Sequence, residues 1–265
     1  MYKQTTATVL AVAAAILATP AQAETPQEKG LAIAEEMDKR DLGWGDSTTT
    51  LTMTLTNRQG QSSVRELRLR SLEVQEDGRG DKSLIVFDRP RDVAGTAFLS
   101  HTKITDPDDQ WLFLPALKRV KRISSANKSG PFMGSEFAYE DLVSQEVDKY
   151  EYEWLRDEAC GELTCLVIAR VPVYENSGYT RQIVWVDSQE YRPMKVDFYD
   201  RKESLLKTLD FGEYQQYLGR YWRADEMNMV NHQTGKSTVL NFAEYAFQTG
   251  LTEGDFTSTK LKRVR

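Results

Sequence analysis

Leu31, Ala34 and Met37 recur at a helical interval, with Glu28, Lys29, Glu35, Glu36, Lys39 and Arg40 on the opposite, solvated face. Thr25 can cap this helix, with Pro26 at its first position and Glu28 three residues after the cap, and Gly43 ends it. From Ser47 the period falls to two. In residues 50–56 leucine and methionine alternate with threonine, the pattern of a half-buried antiparallel strand. After a turn at 57–60 a second strand runs over 63–75. Its apolar parity shifts between Leu67, Leu69 and Leu72, Val74, which predicts a β-bulge near Ser71.

Further strand-length segments follow at 83–88, 96–104, 110–114 and 118–123, then at 150–160, 163–173, 181–187, 193–199, 205–211, 227–231 and 237–247. Short polar turns join most of them, and no linker, low-complexity stretch or repeat interrupts the series. The expected fold is therefore one domain over 24–265, mainly β with a few helices (α+β), laid out as a continuous antiparallel meander. Twist accumulates across so many strands, so the sheet should curl into an incomplete antiparallel β-barrel. The N-terminal helix and a short helix around 135–142 would plug its concave face. A face covered by so little helix keeps an apolar cavity.

The first 23 residues stand outside this pattern. Lys3, an apolar run over 9–18 and Ala21-Gln22-Ala23 have the order of a signal peptide cleaved after Ala23, which places the mature chain in the periplasm. Cleavage removes the Lys3 charge, taking the net charge from −6 to −7. An acidic chain of this kind is no general nucleic-acid binder. Cys160 and Cys165, the only cysteines, are expected to pair across a hairpin loop of four residues, because export puts them where thiols oxidise.

Chemistry is sparse. The two histidines, His101 and His232, lie far apart, and no spacing of ligands fits a metal. The run Asp106-Pro107-Asp108-Asp109 lacks the spacing of a calcium loop and reads as a solvated turn. There is no nucleophile elbow and no phosphate-cradling loop. The expectation is a protein that is not an enzyme and uses no cofactor or metal.

Residues 109–142 call most for a functional explanation. Trp111 and Phe113 share one face of a strand and Leu112 and Leu114 the other, so either both faces are core or one lines the cavity. The basic run Lys118, Arg119, Lys121 and Arg122 is either a solvated strand edge or a contact for an anionic head group or acidic partner. Beyond it Gly130, Pro131 and Gly134 bracket Phe132 and Met133, with Phe137 and Tyr139 close by. Large apolar side chains on such a loop either pack beneath it or touch a ligand. The loop over 124–134 is the candidate for a movable cover. Tyr150, Tyr152, Trp154 and Trp185 read as core.

The blocks DQWLFLPALKRVKRI and GPFMGSEFAYEDL, after an N-terminal helix and a strand meander, resemble the LolA-like outer-membrane lipoprotein-sorting protein family, in the branch associated with transporters of the resistance-nodulation-division type. The resemblance implies a LolA/LolB-like incomplete barrel and a periplasmic carrier that binds lipid or lipid-modified cargo and transfers it between envelope components. An inner-membrane transporter of that type would be its partner, with transient membrane contact. Trp111, Phe113, Phe132, Met133, Phe137 and Tyr139 are the candidate cargo contacts. The alternative is a periplasmic interaction or sensor module of the same fold, with an envelope hydrolase ranking below both.

Overall fold

In the computed structural model, residues 23–264 are described apart from Asp77. The expected signal peptide therefore lies almost wholly outside the described residues. Helix α1, Pro26–Arg40, begins as its sequence implies: the Glu28 amide donates to the Thr25 hydroxyl, and the Thr25 amide to the Glu28 carboxylate, closing a capping box. Its buried positions are Gly30, Ile33 and Ala34, whereas Leu31, expected on the buried face, is exposed. That rotation follows from a close approach to one strand, described below.

Thirteen strands follow: β1 Asp46–Thr56, β2 Ser62–Leu72, β3 Arg79–Arg89, β4 Ala97–Lys103, β5 Asp109–Leu114, β6 Arg119–Ile123, β7 Tyr150–Cys160, β8 Leu163–Pro172, β9 Tyr179–Asp187, β10 Pro193–Asp200, β11 Leu205–Tyr217, β12 Tyr221–Asn231 and β13 Lys236–Phe247. All pairings are antiparallel, in the spatial order β6-β5-β4-β3-β2-β1-β13-β12-β11-β10-β9-β8-β7. The chain thus meanders from the middle of the sheet to one edge, crosses to the other edge through residues 124–149, and meanders back until β13 pairs with β1. The sheet curls but does not close, since β6 and β7 remain unpaired edges.

Every segment of alternating polarity became a strand, with three local differences. The bulge near Ser71 is absent: β1 and β2 pair without interruption, and the shift falls between Glu66 and Leu67 against β3. The parity change reflects a second apolar environment instead. Leu72 packs against Leu84, Val86 and Leu99 in a cluster on the other face of the sheet, closed by Phe256 and Leu261 of the C-terminal segment. The helix expected over 135–142 is only a 3-10 turn, Tyr139–Leu142, so α1 is the one α-helix among the described residues. The β11–β12 hairpin extends well past 211 and starts before 227, through polar residues that carry no alternation.

Cys160 and Cys165 form the disulfide. The hairpin loop is tighter than expected, because Cys160 pairs with Leu163 and leaves only Gly161 and Glu162 in the turn. Gly161 adopts φ 66°, a left-handed conformation that glycine tolerates.

Candidate functional site

The principal core lies inside the curl. Alternate residues of the strands, among them Met53, Leu67, Phe87, Phe98, Ile168, Val184 and Met229, point inward and are buried. Against this face α1 lies on the edge strand β7, where Gly30 is so close that a Cβ would sit 2.7 Å from the Glu153 carbonyl carbon and the Trp154 nitrogen. Only glycine permits that contact without displacement, and it fixes which side of α1 turns inward.

Between α1 and the sheet is a cavity of about 1220 Å³, larger than most small-molecule sites. Leu51, Leu69, Val196, Phe211, Met227 and Phe242 are among its apolar walls, and Ala34 and Met37 of α1 face it. At its rim stand Leu42, Trp44, Gly219, Arg220 and Trp222. Leu42 and Arg220 are exposed, so the cavity reaches the surface there. Asp81 and Glu146 line it near the start of β3. Burial pushes the Asp81 carboxyl up to about 6; burial, with the Asp81 charge adding to it, pushes Glu146 up to about 7.

Residues 124–149 bridge the two unpaired edges and cross the concave face. Phe132 is fully buried against the rings of Phe87 and Phe98, at centroid distances of 5.8 and 5.3 Å. Three carboxylates fasten the segment. Asp141 accepts from Lys207 Nζ at 2.6 Å, from the Ala138 amide at 2.7 Å and from the Tyr179 hydroxyl at 2.8 Å. Glu136 accepts from Asn231 at 2.7 Å. Glu140 accepts from the Gly178 amide at 2.8 Å and from the Ser177 and Tyr174 hydroxyls, while burial holds its carboxyl above the usual range. These anchors lie just beyond the loop over 124–134, which is tied to them by backbone bonds of Lys128, Gly130 and Phe132 with residues 137–140. Asp108, expected in a solvated turn, likewise meets the buried Lys149 at 2.5 Å.

The expected cargo contacts separate into three groups. Phe132 and Phe137 are buried and border the cavity. Met133 and Tyr139 are half-buried against the core and do not border it; Met133 holds φ 50°, and its carbonyl accepts from Arg65 at 2.7 Å. Trp111 and Phe113 are on the opposite face, packed with Val120, Phe256 and Leu261, which corrects their reading as cavity residues. The C-terminal segment covers that face, and His101 donates to the Phe256 carbonyl to hold it. Their neighbours Leu112 and Leu114 face inward. Of the basic run, Lys118 takes a left-handed conformation after a 3-10 turn, Arg119 and Lys121 are exposed on the edge strand, and Arg122 pairs with Asp109.

Sequence reasoning missed the polar residues inside. Cross-strand register puts Tyr152, Arg170, Gln182, Phe198, Lys207 and Asn231 in one row across the concave face. Their signal was phase: Arg170 follows Leu166 and Ile168, and Lys207 precedes Leu209 and Phe211, all at inward intervals of two.

A family model described as "Uncharacterized protein" matches residues 79–263. The search of curated proteins found no significant match. Among solved structures, a domain from Vibrio parahaemolyticus assigned to outer membrane lipoprotein sorting is 60% identical, with 89% of this chain and 100% of that one covered and a TM-score of 0.87. A DUF1329 family protein from Desulfovibrio piger is 32% identical, covering 89% of this chain and 99% of that one, with a TM-score of 0.84. A LolA superfamily protein from Nitrosomonas europaea, 20% identical over 89% of this chain and 99% of its own, shares the fold with a TM-score of 0.69. With identity of this order over the whole of its relatives' length, the chain belongs to the DUF1329 family, and it has the fold of the LolA superfamily protein.

Proposed function

We propose that the protein is a periplasmic carrier that takes lipid or lipid-modified cargo into the cavity between α1 and the curled sheet and hands it on between envelope components. The apolar cavity of about 1220 Å³ is the observation that carries this reading. Burying an acyl chain there yields about 0.8 kcal/mol per methylene, so ten methylenes supply about 8 kcal/mol without any catalytic group. The relative from Vibrio parahaemolyticus, assigned to lipoprotein sorting, supports the same role. In this reading Phe132 and Phe137, buried beneath the crossing segment, back the cavity wall on the loop side, and the exposed Lys118, Arg119 and Lys121 of the edge strand meet an anionic head group or an acidic partner. An inner-membrane transporter of the resistance-nodulation-division type is the proposed donor or acceptor.

Native mass spectrometry of the protein purified from its own envelope, with lipid extraction of the same sample, tests the reading. Co-purifying lipid in the cavity is expected. A folded protein that carries no lipid and binds no acylated probe would end it.

A further inference from the structure

Most cations that border the cavity are already matched. Lys39 and Arg40 pair with Glu36, Lys82 with Glu253, Arg192 with Asp187 and Arg223 with Asp41. In the same inward row as Arg170, Lys207 is satisfied by Asp141 and the Glu136 carbonyl. Arg170 differs. Its Nε donates to the Gln182 side-chain oxygen at 2.7 Å, and among the described residues its other four N–H groups meet no protein acceptor and no carboxylate. Nor are they sealed away. Among the described residues the one buried side-chain polar atom without a partner is Ser100 Oγ, so the free end of Arg170 is accessible, and Arg170 is one of the residues that border the cavity.

Two contacts hold the guanidinium. The Tyr150 ring lies 4.8 Å from it, and the side chain of Gln182, itself buried, takes the Nε–H, which leaves the outer fork of N–H groups without a partner among the described residues. Beside Arg170 in the register stands Tyr152, which borders the cavity and whose hydroxyl also meets no acceptor among the described residues. Burial keeps that hydroxyl protonated, so it too is a donor. Asp38 and Asp148 are near enough to Tyr152 to raise its hydroxyl further, but neither forms an ion pair with Arg170. A planar fork with an adjacent hydroxyl donor, at the wall of an apolar cavity, suits two oxygens of one anionic group on a ligand whose remainder is hydrocarbon.

We propose that Arg170, with Tyr152 beside it, is an anion-binding subsite inside the cavity, so that the cargo is an amphiphile with a carboxylate or phosphate and not a neutral lipid. The inference rests on the carrier reading and adds the charge of the cargo and the place where that charge sits. It also gives the cavity a polarity along its length: the anionic group lies on β7 and β8, and the chain runs towards Phe211, Met227 and Phe242 on the later strands.

The test displaces a neutral fluorescent naphthylamine from the purified full chain with three ligands of equal chain length: hexadecanoate, hexadecyl phosphate and hexadecanol. At least one anion is expected to bind about tenfold or more tightly than the alcohol, as a charge-assisted hydrogen bond in a dry site warrants, and the tighter of the two identifies the head group. Arg170→Gln should abolish the preference and leave hexadecanol binding unchanged. If the wild-type protein binds all three equally, or Arg170→Gln weakens all three alike, the subsite is wrong and the carrier reading stands. If none of the three binds, both fall. The preference of the wild-type protein needs no variant, so a folding defect in Arg170→Gln does not rescue the proposal.

Discussion

Asp141→Ala is the perturbation that separates an anchored plug from a swinging cover. The carboxylate and Lys207 are each about 4% exposed at their side chains, and the pair is 2.6 Å apart. Removing it leaves the Lys207 ammonium with one acceptor, the Glu136 carbonyl at 2.9 Å, and deprives the Ala138 amide and the Tyr179 hydroxyl of theirs. Breaking a buried pair from one side costs about 3–5 kcal/mol, because the remaining charge is stranded away from water. In a protein of this size each kcal/mol moves the midpoint by about 2–4 °C, so thermal unfolding followed by circular dichroism should shift down by about 6–20 °C. Asp141→Ala combined with Lys207→Met removes both charges and should recover the part of that loss due to the stranded ammonium, while the Ala138 amide and the Tyr179 hydroxyl still lack their acceptor. A drop of less than about 2 °C for the single variant would show that the crossing segment is loosely held, which leaves the loop over 124–134 free to act as the cover.

Gly30→Ala should destabilise by about 1–3 kcal/mol in urea unfolding, despite a gain of about 1 kcal/mol in helix propensity, because the new Cβ meets the β7 backbone at 2.7 Å; a neutral or stabilising result would mean α1 shifts freely on β7. Phe132→Ala should cost about 3–5 kcal/mol by the same measurement, since the ring is fully buried against Phe87 and Phe98, and a loss under about 1 kcal/mol would return it to the role of a free ligand contact. Asp81 and Glu146 have folded pKa values raised to about 6 and about 7, above those of unfolded carboxylates. The folded state then holds more protons than the unfolded one in that window, so their contribution to stability is complete below about pH 4 and is lost as pH rises through 6 and 7. Midpoints measured from pH 5 to 8 should fall for the wild-type protein and fall less for the Asp81→Asn, Glu146→Gln double variant; equal slopes would refute the assignment.

The strands were legible in the chain because alternation is a local property: Thr50 to Thr56 states its own geometry without reference to anything distant. Which face lies inside is not local. Leu112 and Trp111 alternate equally well, and what assigns Leu112 to the interior and Trp111 to the exterior is a segment more than a hundred residues later, Phe256 to Leu261, that covers the outer face. Parity therefore gives two faces and no label, and the size of Trp111 and Phe113 does not decide which of the two borders the cavity. The bulge expected near Ser71 failed for the same reason, since a second covered face imitates a slipped register.

The loop was harder, because its partners are remote. Glu136, Glu140 and Asp141 are adjacent in sequence to nothing that would neutralise them, and their partners Asn231, Gly178 and Lys207 lie 38 to 95 residues away. One sign of this was nevertheless present in the chain. A lysine or arginine in phase with inward apolar residues must either be met by an acceptor carried in from elsewhere or be left for a ligand, because an unmatched charge facing a core is too costly to keep without use. Lys207 and Arg170 satisfy that condition equally in sequence. The crossing segment supplies Asp141 to one and, among the described residues, no acceptor to the other, and it is this asymmetry between two otherwise equivalent positions of one row that separates the part of the interior that is closed from the part that borders the cavity.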